Sequence, residues 1–214
     1  MLRVTEIFQS IQGESTHAGR PCTFVRLTGC PMRCVWCDSE YTFSGGEHVA
    51  LEDVLKQVRA FGSRLVEVTG GEPLAQEEAR TLISSLCDEN FEVLIETGGY
   101  FSTDGIDERA AIILDVKCPG SGEETRNHWP NLERLRADLD EVKFVIATRA
   151  DWDYAQEIIK RFALEKTAKA VLVSPAWGEI ELTDLAQWVA GSGLSIRMQL
   201  QLHKYVWGPE ARGV

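Results

Sequence analysis

The chain has 214 residues, 44% of them hydrophobic and 26% charged, with a formal net charge of −11. Residues 1–214 suit one domain of ordinary soluble composition, and no apolar run approaches the roughly 20 residues needed to cross a bilayer. The acidic balance argues against nucleic acid as a partner, because such binding needs a cationic surface. The first ten residues lack the apolar core of a signal peptide. The six cysteines then belong to a reducing compartment, where C-x-x-C spacing means metal or redox chemistry, and the expected location is the cytoplasm.

Strands are expected at 3–8 and 23–27, followed by a cysteine-bearing loop at 28–40. A helix at 51–61 carries Leu51, Val54, Leu55 and Val58 at helical spacing. Beyond it the pattern alternates: strand 65–69, helix 76–90, strands 92–96 and 111–116, helix 132–139, strand 141–146, helix 151–164, strand 170–173, helix 182–190 and strand 195–199. Strand-then-helix order with short turns argues a parallel α/β sheet with right-handed crossovers. A doubly wound sheet and a barrel both fit that order. An eightfold barrel takes about 250 residues, so a partial (β/α)6-type TIM-like barrel fits this chain better. In either architecture the active site lies at the C-terminal ends of the strands. Arg26, the cysteine loop, Thr69–Pro73, Thr97–Gly99, Asp115–Lys117 and Ser174–Trp177 all fall there.

Cys30, Cys34 and Cys37 are spaced C-x3-C-x2-C. Three thiolates this close cannot form an even disulfide set, but they can hold three corners of a cubane iron–sulfur cluster and leave one iron open. In a chain of this composition the spacing arises by chance roughly 0.005 times. The alternatives are structural zinc, which usually wants four ligands, and inert buried cysteines. Cys22 is a conceivable fourth ligand, and no histidine adjoins the motif. Cys22, Cys87 and Cys118 otherwise read as buried small hydrophobes.

Thr69-Gly70-Gly71-Glu72-Pro73 lies between a strand and a helix, where two glycines allow close backbone approach to a ligand; an ordinary βα turn would look the same. Gln12, Gly13 and Glu14 can read a ring with alternating N–H and C=O groups, and Arg26 can fork onto a carboxylate. Taken singly, these read as a capped turn and a surface arginine. Asp38 and Ser39 offer a carboxylate and a hydroxyl to a hard cation such as Mg2+, or a cap to the next turn. His203 stands near the C-terminus with Lys204, Tyr205 and Trp207, suited either to closing over a polar substrate or to packing the chain end. His17, His48 and His128 look like surface residues.

The cysteine spacing resembles the signature of radical S-adenosylmethionine (SAM) enzymes, and Gly70-Gly71-Glu72 resembles their GGE motif. Ile11–Glu14, Phe24–Cys30, Trp36–Ser39, Thr69–Pro73, Glu96–Gly98 and Leu202–Tyr205 follow the order seen in 7-carboxy-7-deazaguanine synthases, so the resemblance covers nearly the whole chain. It implies a radical ring contraction of 6-carboxy-5,6,7,8-tetrahydropterin with loss of ammonia. It also implies a 4Fe–4S cluster, SAM and Mg2+, a homodimer, and a reductant such as flavodoxin or ferredoxin. Carried over by position, Cys30, Cys34 and Cys37 ligate the cluster. Trp36, Cys37, Asp38, Gly70, Gly71, Glu72, Asp115, Val116, Lys117, Ser174, Pro175, Ala176 and Trp177 line SAM. Ile11, Gln12, Gly13, Glu14, Arg26, Thr69, His203 and the carboxylate of Val214 line the pterin, and Ser39 offers its hydroxyl to Mg2+. Three positions depart from the pattern of many members: Ser39 stands for Thr, Ser15 for Gly, and Asp115-Val116-Lys117 for Ser-Pro-Lys. Two rival readings are a glycyl-radical activase acting on a partner protein and a non-enzymatic zinc-binding module.

Overall fold

The computed structural model describes residues 1–214. Its strands are β1 (Leu2–Ile11), β2 (Pro21–Leu27), β3 (Glu47–Val49), β4 (Leu65–Gly70), β5 (Glu92–Thr97), β6 (Ala111–Val116), β7 (Glu141–Ile146), β8 (Ala170–Pro175) and β9 (Arg197–Met198). The helices are α1 (Leu51–Phe61), α2 (Glu78–Asp88), α3 (Arg149–Arg161), α4 (Leu164–Thr167), α5 (Leu182–Gly191) and α6 (Leu202–Trp207). All nine strands form one sheet in the order β3-β1-β2-β4-β5-β6-β7-β8-β9. From β2 to β9 the neighbours run parallel. The sheet curves into a partial barrel with β3 and β9 as free edges.

The all-parallel expectation needs amending at one end: β1 runs antiparallel to both β2 and β3. A hairpin turn joins β1 to β2 directly, and a short turn permits only antiparallel pairing. Helical crossovers link β2 to β4 (α1), β4 to β5 (α2), β7 to β8 (α3 and α4) and β8 to β9 (α5). The β5–β6 and β6–β7 links contain no α-helix. The expected helix at 132–139 is instead a 3₁₀ turn over Trp129–Arg134 with Pro130 at its second position. Beyond it the chain is held by Asp140, which is fully buried. Asp140 accepts from the Arg136 guanidinium at 2.6 Å and 2.8 Å, and from the Ile112 amide at 2.9 Å. These bonds brace the starts of β6 and β7, and an α-helix would break them.

Side chains alternate across the sheet, as strand geometry requires. Val66 and Val68 of β4, Ile112, Leu114 and Val116 of β6, and Val142, Phe144 and Ile146 of β7 face the helices in the larger apolar core. The opposite face looks into the barrel. At its lower end Cys22, Phe24, Leu65, Leu94, Ala111 and Ile113 form a second, smaller core. Higher up the inward positions are polar: Glu67 and Thr69 on β4, Glu96 on β5, Asp115 on β6 and Lys143 on β7. That change along each strand places polar chemistry at the strands' C-terminal ends. No helix is long and apolar enough to cross a membrane.

Asp140→Ala leaves the Ile112 amide and the Arg136 guanidinium without their buried acceptor. We expect a loss of about 3 kcal/mol of stability in urea unfolding; a change below about 1 kcal/mol would mean that Asp140 does not brace these strands.

Candidate active site

The floor of the barrel is the turn between β1 and β2, which tucks beneath the sheet's inner face. Gln12 donates its amide to Glu67 on β4. Two residues on, Glu14 accepts from Lys143 of β7 at 2.9 Å and from Gln201 at 2.9 Å. The Ser15 amide donates to Gln199 at 2.7 Å, and the Thr16 amide to Glu141 at 3.0 Å. Gly13 is required by contact: a Cβ there would collide with the His203 ring. The Leu202 amide also donates to the Gly13 carbonyl at 2.9 Å, so α6 sits directly on the turn. Ser15 adopts φ 63, a left-handed conformation that costs a non-glycine residue of order 1 kcal/mol. Glycine would meet no such strain there. The inward fold of this turn also corrects the reading of His17. It is buried rather than on the surface, lies 2.6 Å from the Arg20 guanidinium and faces Glu92 and Glu141. Burial lowers its pKa against the pull of Glu141.

Above the floor lies a charged layer. Lys143, buried on β7, contacts Glu14, Glu96 and, at 3.9 Å, Asp115. Burial opposes its charge, but Glu14, Glu96 and Asp115 outweigh burial, and its pKa rises well above the ordinary lysine value. Glu67 and Glu96 are pushed up, by burial first and by the neighbouring carboxylates next. Glu14 moves the other way: burial would raise it, but Lys143 and Gln201 pull it below the usual carboxylate range. Lys117 pairs with Asp115 at 2.9 Å. The second Asp115 oxygen, Oδ1, is buried with no partner in the chain. Sequence reasoning missed Glu67 and Lys143 altogether, although each is a charge interrupting an apolar strand, in Leu65-Val-Glu-Val68 and Val142-Lys-Phe-Val145.

The cysteine loop forms the roof on one side. Cys30, Cys34 and Cys37 are half-buried and unpaired. The loop is tied down by Gly29 N–H to Thr42 O at 2.7 Å, Glu72 N–H to Gly29 O at 2.8 Å and Val35 N–H to Ser121 O at 3.0 Å. Gly71 packs so closely that a Cβ would lie 2.5 Å from Gly29 O and 2.7 Å from Cys30 Cβ. Cys22 is no fourth ligand: it lies at the opposite end of β2, paired with Leu65, about 17 Å of extended strand from the loop. With Cys87 and Cys118, it is buried as expected.

The residues expected to bind converge on a single cavity of about 260 Å³. Its wall contains Ile11–Glu14, Arg26, Cys30, Cys34, Trp36–Ser39, Thr69–Gly71, Asp115, Lys117, Ser174–Trp177, His203 and Val214. Two expected SAM contacts are not on it. Val116 faces the outer core, because alternation turns it away from Asp115 and Lys117. Glu72 is fully buried, and its carboxylate is used within the chain. It accepts from Leu74 N–H at 3.0 Å, Gly98 N–H at 2.8 Å and Thr97 Oγ1 at 2.8 Å, so it braces the turn. Arg26 is a wall residue, not a surface arginine. It donates to Glu6 at 2.9 Å, and Glu6 also accepts from Tyr41 at 2.8 Å. The tail closes the rim, with the Arg212 guanidinium 4.2 Å from the Tyr41 ring centre. Lys204 of α6 reaches the cysteine loop, 2.7 Å from Asp38. Burial raises the Asp38 carboxyl, but Lys204 outweighs that and brings it to about 2. Ser39 precedes the 3₁₀ turn Glu40–Thr42 without capping it through its side chain; its hydroxyl lies on the cavity wall, 3.8 Å from Cys37 Sγ.

The donor set fits an iron–sulfur cluster. Burial first, against the pull of Lys117 and with help from Asp115 and the other two cysteines, pushes the Cys34 thiol up to about 11, and thiolates in such a setting need a bound metal's positive charge. Gly71 lets the strand-end turn pack directly against Cys30 and fix the loop, and Asp115 offers an unused acceptor. A partial barrel with this cysteine loop at its strand ends defines a radical SAM enzyme, and the Radical SAM superfamily pattern matches residues 24–120. That class carries a 4Fe–4S cluster and uses SAM. The chain belongs to the 7-carboxy-7-deazaguanine synthase family. It is 41% identical to the synthase of Koribacter versatilis, with all of both chains covered. It is 42% identical to that of Chlorobaculum tepidum, covering 100% of this chain and 97% of the relative. Among solved structures, QueE from Escherichia coli shares the fold with a TM-score of 0.76 at 24% identity, covering 94% of each chain.

Gly71→Ala is expected to displace the Cys30 end of the loop and lower the iron bound per chain after anaerobic reconstitution; full iron loading would show that the loop absorbs the methyl group. Lys204→Met is expected to speed amide hydrogen exchange in α6 and the tail. The Asp38–Lys204 tie is at full strength above the ordinary aspartate value of 3.8 and is lost as pH falls through about 2. Exchange in the wild type should therefore approach that of the variant only in strong acid.

Proposed function

We propose that this protein converts 6-carboxy-5,6,7,8-tetrahydropterin to 7-carboxy-7-deazaguanine with loss of ammonia. The observation that carries this reading is the convergence of the Gln12–Glu14 turn, Arg26, His203 and the cysteine loop on one cavity. Relatives bearing that enzyme name span the whole chain. Cys30, Cys34 and Cys37 would hold the cluster, which with SAM would supply the one-electron radical chemistry that the ring contraction needs.

The chain's own residues hold, orient and enclose. Trp36, Asp38, Gly70, Gly71, Asp115, Lys117 and Ser174–Trp177 form the SAM side of the cavity. Gln12–Glu14, with Ile11 and Thr69, read the pterin ring from below. Arg26 keeps Nη2 for the substrate carboxylate, while Nε holds Glu6 and Nη1 donates to the Gly70 carbonyl at 3.4 Å. His203 and the Val214 carboxylate close the remaining side. Ser39 would offer its hydroxyl to Mg2+, with oxygens of the substrate as the other hard ligands. A primary carbon radical needs a dry, enclosed site, and α6 with the tail covers this one. That cover also favours a small ring over the peptide groove that a glycyl-radical activase requires. We place the protein in the cytoplasm as a single-domain homodimer reduced by flavodoxin or ferredoxin.

The test is anaerobic turnover with SAM, dithionite, Mg2+ and 6-carboxytetrahydropterin, read by mass spectrometry. We expect 7-carboxy-7-deazaguanine with SAM recovered intact; SAM cleaved without a deazapurine would move the substrate to another class. Ser39→Ala is expected to keep the cluster and lose most of the stimulation by Mg2+. Unchanged metal dependence would take Ser39 out of the metal site.

A further inference from the structure

Lys143 stands at the centre of the barrel, its side chain 6% exposed. It is the one cation in contact with Glu14, at 2.9 Å, and it also holds Glu96. The other donors to Glu14 are neutral amides: Gln199 at 3.3 Å shares Oε2 with Lys143, and Gln201 at 2.9 Å takes one site on Oε1. Around this cation stand carboxyl groups from every facing element: Glu14 from the floor turn, Glu67 from β4, Glu96 from β5 and Asp115 from β6. Lys117 is already paired with Asp115. Buried carboxyls without a counter-ion take up protons. A protonated Glu14 would present a hydroxyl donor where an N–H of a ligand also points.

We propose that Lys143 is a positioning residue for ring recognition: it keeps Glu14 an ionised acceptor on the cavity floor, with Oε1 the oxygen left for a ligand, and so selects rings that present N–H donors there. This rests on the functional reading above and extends it. A 2-amino-4-oxopyrimidine edge, with its exocyclic amine beside a ring N–H, matches such an acceptor. A 2,4-dioxo edge places a carbonyl oxygen against the carboxylate and is repelled. Glu96 also holds Lys143, and Glu67 takes its hydrogen bond from Gln12 rather than from the ammonium.

The test uses two stable rings, 6-carboxypterin and 6-carboxylumazine, titrated anaerobically into the reconstituted enzyme with SAM. Wild type is expected to prefer carboxypterin by at least about tenfold, the worth of a charge-assisted hydrogen bond. Lys143→Met/Glu96→Gln removes one charge of each sign, which preserves the balance of the layer. It is expected to bind carboxypterin at least about tenfold more weakly while carboxylumazine binding changes little, so the preference collapses. A purely structural lysine would weaken both rings alike. If the double variant does not fold, Lys143→Gln gives the same comparison. A wild type indifferent to the two rings, or either folded variant that keeps the preference, overturns the proposal. Wild-type protein that binds neither ring would sink the functional reading and this inference with it.

Discussion

An open barrel needs something to fill its inner face, and here the β1–β2 turn does so. Residues 12–16 bond to β4 through Glu67 and to β7 through Glu141 and Lys143. The turn therefore ties opposite sides of the curved sheet, a job that hydrogen-bonded closure performs in a complete barrel. The site depends on that tie. Gly13 seats α6, α6 carries Lys204 to Asp38, and Asp38 lies in the cysteine loop. A single chain of contacts thus runs from the barrel floor to its roof.

The rest of the construction follows from where charge is tolerated. A buried carboxylate or ammonium is costly alone and acceptable when paired. The upper inward positions of β4 to β7 meet that condition by facing one another around Lys143. Lower on β4, β5 and β6, Leu65, Leu94, Ala111 and Ile113 close the interior with apolar packing. The cavity thereby gains a dry base and a polar wall from one alternating pattern, and ligands meet oriented groups in place of bulk water.

Legibility in the sequence followed local strength of pattern. Helix 51–61 and strands 111–116 and 141–146 were readable to the residue, because alternation or 3.6-residue spacing was strong and the ends were marked. The edge strand β3 was not, since its residues are Glu47, His48 and Val49 and its pairing is with distant β1. The false helix at 132–139 had helical composition, but Asp140 captures Arg136 and Ile112, a tertiary demand that propensity does not contain. Within the site, motif residues were legible because spacing carries their chemistry. Lys143 needed the fold: its partners lie 129 and 47 positions away. Glu72 and Val116 show the reverse limit, where a motif position was legible but its direction was not.

One consequence joins the two halves of the cavity. Lys143 contacts Glu14 on the floor and approaches Asp115, one of whose oxygens is buried without a partner. The two halves of the cavity therefore share one buried lysine. What it does not neutralise is held by other means: Gln201 and Gln199 donate to Glu14, and Lys117 pairs with Asp115. Removing Lys143 would weaken the partner set of both carboxylates, so a single substitution there is felt on the floor and the wall together.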